Sequence, residues 1–459
     1  MSDPTALDFA AQRARSQVQF RSRLGPHLER LRWSADRIAA HQTQALRGVL
    51  RDAIARSPFH ARRLGGLDAE SFTLDDLRSL PTMTKPEMMA SFDEVVTDRR
   101  IRRAEVERVL AETKDVPRMI AGEYVCLASG GSSGVRGLFM WHWEDLGDYV
   151  MSLLRTGIAR ALAGGAPPSG GVRGAIVAAS SAVHATRATV SLIAGDLIDL
   201  LPIPATLPLP EVVARLNERQ PAMLTGYASM LSILAREQEA GRLRIAPATI
   251  SGTSEVFPAE RRAEIARVFG CPVANTFGSS EGLNGVAGPD DDAIEMASDL
   301  AIVELVDESN RPVPPGEPSA KVLLTLLYNR AQPLIRYELT DRMVQHAPSR
   351  EHGHLRVSVE GRSDDVFAYG DLRVHPLAIR SVFVKTAEVS EYQIRQTERG
   401  IEASVVATAP FDSAVLAARL RDALASAGVR EPTVALACVD RIARHPETGK
   451  VARFVPLRG

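Results

Sequence analysis

The sequence predicts an α/β protein in two parts: a large region of layered β-sheets and helices over residues 1–361, and a small α+β unit over residues 362–459. Three observations carry that expectation. From about residue 122 short β-rich runs alternate with helical ones, the pattern of a sheet covered by helices. After residue 300 strand-like runs follow one another directly. The last part of the chain sets one well-bounded helix among further strand-like runs.

In chain order, residues 1 to about 110 read as helical, in runs such as QALRGVLRDAIARSPFHARRL, with Pro58 and the pair Pro81 and Pro86 as breaks. GAIVAAS, PAMLTGY, ATISG and PVANTF read as strands, with ASMLSILAREQEAG and PAERRAEIARVFG as helices between them. The second of these helices is sharply bounded, because Pro258 suits the first helical position and Gly270 the position just past the end. LAIVELVD, AKVLLTLL and HLRVSVEGRSDD are strands. In the small unit a helix is expected from Ser413, as N-cap, to Gly428, just past its end.

Bulk composition narrows the class of protein. The 459 residues are 45% hydrophobic, enough for more than one buried core. Lys plus Arg number 55 against 56 Asp plus Glu, a balance that argues against a nucleic-acid coat or a membrane-surface binder. The basic cluster Arg99, Arg100, Arg102 and Arg103 reads as a solvated helix face. Three widely separated cysteines fit a reducing cytoplasm and argue against both a disulfide framework and a CxxC metal site. The start, MSDPTALDFAAQRAR, has no apolar core of a signal peptide, and no run of about 18 uncharged apolar residues suggests a membrane span. A cytoplasmic location is expected.

Residues 128–137, ASGGSSGVRG, raise the functional question. Bare backbone N–H groups and hydroxyls can cradle a phosphate, although the Walker form fails because no Lys-Ser/Thr follows Gly134. Residues 130–134 and 278–282 both match GxSxG, but a nucleophile elbow needs a helix straight after it, and LNGVAGPDDD is a poor helix. An ordinary surface turn is the third reading. The loop alone leaves all three open.

Four more segments bear on the choice: NTFGSSEGL (275–283), PLIRYELTD (333–341), VEGRSDDVFAYGDLRVHP (359–376) and ETGKVARF (447–454). With the loop, their order and spacing resemble the adenylate-forming superfamily of acyl-CoA synthetases, in which they correspond to the phosphate loop, the YGxTE motif, the RYxxGD motif, the GRxDD hinge motif and the terminal GK motif. The closest resemblance is to the phenylacetate–CoA ligase branch. SPFHARRL and LRSLPTMTKPEM are similar to that branch's N-terminal segment, and WHWEDL (141–146) falls where it carries a Tyr-Thr-x-x-Asp segment. The resemblance runs from about residue 45 to 455.

The resemblance implies ATP-dependent activation of a carboxylic acid, aryl or arylacetic, as an acyl adenylate with release of pyrophosphate, followed by transfer to CoA. Transfer to an amine or another acceptor is the alternative. It also implies Mg²⁺, a small unit that is mobile, and small-molecule partners only; a homodimer is allowed for. Ser129, Ser132 and Ser133, with Gly131 and Gly134, would hold the β- and γ-phosphates. Phe277, in place of the family's Tyr, would stack on adenine beside Gly278 and Ser280, with Ser254 and Glu255 lining the adenine pocket. Glu281 would bind Mg²⁺, a hard oxygen ligand for a hard cation. Asp341 would accept hydrogen bonds from the ribose hydroxyls, and Arg362 would add a ribose or phosphate contact. Asp364 would be the hinge. Lys450 would stabilise charge building at the α-phosphate. Trp141, His142 and Gly278 would line the acid pocket, where a flat acid could stack, and Gly370 would lie on the loop that approaches the CoA thiol.

The chain departs from the family pattern in places. Its loop ends Val-Arg-Gly rather than Lys-Pro-Lys, leaving Arg136 as a substitute cation. Thr340 stands where Gly is usual, and Ala368 where many relatives carry Lys. The Cys and His set that gives some relatives a metal site after Glu281 is missing, so no zinc is expected.

Overall fold

Local capping divides the N-terminal region into helices. A computed structural model describes residues 4–129, 136–163, 172–179, 181–193, 198–289, 291–362, 365–370, 372–374, 379, 382–383, 386, 388–407, 409–444 and 451–457. Helix α1 (Pro4–Arg30) carries Pro26 within it, and α2 (Ala35–Arg56) is capped by Ser34, whose side chain accepts from the Arg37 N–H. Ser57 ends α2 and caps α3 (Pro58–Arg63), with Pro58 in the first turn, so this proline breaks the helix as expected. Pro86 does not break one. It sits in the first turn of α4 (Lys85–Ala90), where Thr84 and Glu87 form a capping box. Helices α5 (Phe92–Val95) and α6 (Arg103–Glu112) follow.

Strands β1 (Tyr124–Ala128) and β2 (Leu138–His142) pair antiparallel on either side of the glycine-rich loop, and α7 (Trp143–Ala163) leaves β2 directly. The alternating stretch comprises β3 (Val172–Ala178), α8 (Ala185–Ile193), β4 (Ile198–Pro204), α9 (Leu209–Arg219), β5 (Met223–Tyr227), α10 (Ala228–Glu239), β6 (Thr249–Thr253), α11 (Ala259–Phe269) and β7 (Val273–Gly278). Then come β8 (Asn284–Ala287), β9 (Ile294–Met296), β10 (Ala301–Val306), β11 (Lys321–Leu326), β12 (Tyr337–Leu339), β13 (Asp341–Gln345) and β14 (Arg356–Arg362). Among the described residues the main sheet has nine strands in the order β13-β14-β9-β8-β7-β6-β5-β3-β4. Strands β3 to β7 are parallel, and the other pairings are antiparallel. Strands β10, β11 and β12 form a separate antiparallel sheet.

The chain from β15 (Phe367–Tyr369) and β16 (Leu372–Val374) onward has a core of its own, in which Phe367, Ile394, Val405, Leu416 and Leu420 are buried together. It contains β17 (Val389–Thr397), β18 (Gly400–Ala407), α12 (Ser413–Ser426), β19 (Thr433–Cys438) and β20 (Phe454–Val455), with the sheet order β19-β18-β17-β20.

Two helix starts differ from expectation by one residue. Pro258 is the N-cap of α11 rather than its first residue, because its ψ of 150° is extended; Gly270 ends the helix in the left-handed region, as expected. Asp412, not Ser413, caps α12, since its carboxylate accepts from the N–H groups of Ala414 and Val415.

The N-terminal helices are pinned to the sheets by buried polar contacts. Asp299, fully buried, takes two hydrogen bonds from Arg155 of α7, at 2.7 and 2.6 Å. Arg30 at the end of α1 lies 3.7 Å from the same carboxylate, and His41 Nε2 of α2 is 3.0 Å from the Asp299 carbonyl oxygen. Gly353, between β13 and β14, lies so close to the start of α2 that a Cβ there would overlap the backbone of Ala35 and Ser34. No helix among the described residues is long and apolar enough to cross a membrane.

Candidate functional site

Parallel register brings the carboxyl ends of three strands side by side. Tyr227 of β5 pairs with Thr253 of β6, and Thr253 with Thr276 of β7. The segments that follow, 228–229, 254–255 and 279–281, therefore share the edge of an open α/β sheet where ligands bind by rule. Glu255 is committed there. Its Oε2 accepts from the Ser229 N–H at 2.8 Å and its Oε1 from the Ser229 hydroxyl at 3.1 Å, so it caps α10, whose own N-cap residue, Tyr227, supplies no side-chain bond. Ser254 is held at φ +62°, 3.5 Å from the hydroxyl of Thr186. Thr186, with Ala178, Ala179 and Arg187, lines a cleft of about 200 Å³ at the ends of β3 and β4.

The turn after β7 carries Glu281. The Ser279 N–H bonds to the Leu283 carbonyl at 3.0 Å, and the Gly282 N–H to the Ser279 carbonyl at 3.1 Å. Gly282 has φ +109°, and a Cβ there would come within 2.5 Å of the Trp141 ring, so the turn requires glycine twice over. Glu281 is only 5% exposed, and Lys85 Nζ, from the first turn of α4, lies 3.9 Å from its Oε1. Tyr149 donates to the Ser279 carbonyl at 3.1 Å, and its phenol is pushed well up by burial and by the nearby Glu281 charge. Phe277 is half-buried against the core, and Gly278 leaves the Tyr149 hydroxyl room, at 3.0 Å from where a Cβ would stand.

Trp141 offers no exposed ring face. It is 0% exposed, tilted between Tyr149 and Tyr328 at centroid distances of 5.8 and 5.6 Å, and its indole N–H has no partner. Tyr328 in turn donates to the Gly282 carbonyl at 2.9 Å. His142 is half-buried beside Tyr124, and its Nδ1 accepts from the Glu144 N–H at 3.4 Å, which ties it to the start of α7.

Asp341 and Arg362, far apart in sequence, are directly opposed across the β13–β14 ladder. Asp341 is nearly buried. Arg336, at φ +49°, grips Glu304 with two hydrogen bonds at 3.0 and 3.1 Å and the Arg78 carbonyl at 3.0 Å, so this arginine of PLIRYELTD is a structural staple. Thr340 is not among the residues with positive φ, so nothing in its backbone calls for glycine. Gly370 ends β15, exposed and at φ +61°. Ser129 closes the base of the glycine-rich loop, where its hydroxyl accepts from the Gly137 N–H at 2.8 Å. Gly131, Ser132, Ser133, Gly134, Asp364 and Lys450 lie outside the described residues, and Arg362 is described by its backbone alone.

The hydrolase reading fails on topology. Among the described residues the element after the 278–282 match is strand β8, and the one after the 130–134 match is strand β2, so neither match is followed by a helix there. Sequence reasoning assigned no role to Lys85, Arg336 or Arg444. The capping-box pattern Thr84-x-x-Glu87 signals a helix start, but no local pattern shows that its lysine reaches Glu281.

No protein-family model matches the chain, and no curated protein does. Solved structures do. A 2-hydroxyisobutyryl-CoA ligase in the postadenylation state, in complex with R3-HIB-AMP, is similar with a TM-score of 0.71 at 18% identity, over 93% of this chain and 90% of that one. A benzoate CoA ligase from Burkholderia xenovorans LB400 is similar with a TM-score of 0.51 at 19% identity, over 72% and 67%. An anthranilate CoA ligase, AuaEII, in complex with anthranoyl-AMP gives 0.50 at 15% identity, over 71% and 65%. These likenesses, with the mixed layered sheets and the separately cored C-terminal unit, give the chain the fold of the adenylate-forming acid–CoA ligases.

Proposed function

We propose that the protein activates a small carboxylic acid with ATP and passes the acyl group to CoA. The carrying observation is a coincidence: five segments in the order of the superfamily's motifs lie on a chain that has the superfamily's fold. In the first step a carboxylate oxygen attacks the α-phosphorus, the bond to the bridging oxygen breaks, and pyrophosphate leaves. In the second, the CoA thiol attacks the acyl carbon, and AMP leaves with its electron pair. Lys450 offers a point cation where charge builds in the first step. Asp341 serves the ribose hydroxyls, with Arg362 opposite it. The segment 129–134 supplies hydroxyls and bare backbone N–H groups suited to the outer phosphates.

Glu281 fits Mg²⁺, since its carboxylate is a hard oxygen donor at a carboxyl strand end, with Lys85 Nζ 3.9 Å away. The ion would neutralise phosphate charge when bound. We place the division of labour at residue 361, with the acid and nucleotide on the large region and the hinge at Asp364. Stacking of an aryl acid on Trp141 has no support in its burial; short hydroxy acids, the class named for the similar 2-hydroxyisobutyryl-CoA ligase, therefore stand beside aryl acids as candidates.

Acid-dependent ATP–pyrophosphate exchange tests the reading, run with 2-hydroxyisobutyric, benzoic, anthranilic and phenylacetic acids. Exchange with one of them is expected, and Lys450→Ala should lower it on the order of 10² or more. Absence of exchange with every acid would overturn carboxylate activation of this class. Product formation with and without CoA then separates thioester from amide chemistry.

A further inference from the structure

The small unit touches the large region through a run of polar contacts. Arg444 Nη1 donates to the Ser229 hydroxyl at 3.2 Å, while its Nη2 reaches Glu391 Oε1 of β17 at 3.3 Å. Ser229 is bonded to Glu255, as described, and Glu255 Oε1 also accepts from the Val451 N–H at 3.5 Å. Glu391, Arg444, Ser229, Glu255 and Val451 thus form one continuous chain that begins and ends in the small unit and passes through the carboxyl edge of β5 and β6. Further charges face the same point. Glu391 is raised by burial, opposed by the charges of Arg444, Arg236 of α10 and Arg453, while the Glu255 charge adds to the rise. Arg444 and Glu391 have side chains only 18% and 11% exposed, so salt and water screen the pair weakly.

Two features make this more than packing. Guanidinium has a fixed fork of donors, and here its two nitrogens are split between acceptors on different units; an ammonium cannot reproduce that geometry. Val451 directly follows Lys450 in sequence, so the contacts made by Arg444 and Val451 flank the segment that carries the proposed catalytic cation.

We propose that Arg444 is a positioning residue that holds the small unit docked for adenylation, and that its bonds to Ser229 must break before the thioester-forming step. The effect on the two half-reactions rests on the adenylation reading; the docking does not. Arg444→Ala should lose roughly tenfold in acid-dependent ATP–pyrophosphate exchange, the rate equivalent of one charge-assisted hydrogen bond. Thioester formation from the synthetic acyl adenylate and CoA should be unchanged or faster. Arg444→Lys should recover part of the exchange. Equal loss in both half-reactions, or no loss in exchange, overturns the proposal. Hydrogen–deuterium exchange of the full chain without substrates provides a second reading: amides at 229–231 and 451–455 should exchange faster in Arg444→Ala than in the wild type. Unchanged protection there sinks the docking role whatever the acid. A wild-type protein that exchanges with no acid yet loses protection in the variant keeps the latch and loses the adenylation reading.

Discussion

At the scale of single residues, Glu281 and its turn dominate. Glu281→Gln keeps the side chain's size but removes the charge, so acid-dependent exchange should fall on the order of 10² while the melting temperature holds. Gly282→Ala forces a strained φ and a collision with the Trp141 ring; it should cost about 1–3 kcal/mol in urea unfolding. Asp145 makes a different prediction. Burial lifts its carboxyl to about 7, opposed only in part by the Arg330 N–H at 3.3 Å. A carboxyl raised in the fold ionises first in the unfolded chain, so stability drains away as pH climbs from about 4 to about 7. Asp145→Asn should therefore melt higher than the wild type at about pH 8 and no higher at about pH 4. The sequence marked Glu281, Asp341 and Arg362 because their motifs are local strings. It could not show that Glu255 would be spent on the start of α10, or that Trp141 would be closed over by Tyr328, because both facts depend on partners more than two dozen residues away in the chain.

Elements were the most legible level. The strands β3, β5, β6 and β7 and the helices α10 and α11 stand where the alternation of period 2 and period 3.6 puts them, because each buries a face whose spacing is written in the local sequence. Two helix starts slipped by one residue. At α12 Ser413 was the expected cap, but the carboxylate of Asp412, with two N–H groups in reach, takes that place. Asp412→Ala should accordingly lower stability by about 1 kcal/mol, read from chemical denaturation, whereas Ser413→Ala should leave it nearly unchanged. Order within the sheets was not legible. The pairing of β14 with β9, for instance, joins segments separated by a whole second sheet.

The molecule as a whole hangs together at Asp299, where α7 and the end of α1 meet the buried carboxylate and α2 meets the carbonyl of the same residue. Arg155→Ala would strand that charge and should cost about 3–5 kcal/mol, against much less for Arg155 and Asp299 replaced together by apolar residues of similar volume. The Arg155 guanidinium holds the Asp299 carboxyl far below the usual carboxylate range despite its burial. A group depressed in this way stabilises the fold at neutral pH and ceases to do so as pH falls below about 4, which acid titration of unfolding would register. Gly353 sits at the same junction, pressed on the backbone of Ser34 and Ala35. Because the obstacle is main chain, no choice of side chain at 34 or 35 can relieve it. Among any descendants of this fold that keep the junction, glycine at 353 should persist through every change of substrate, a mark of common ancestry that carries no information about chemistry.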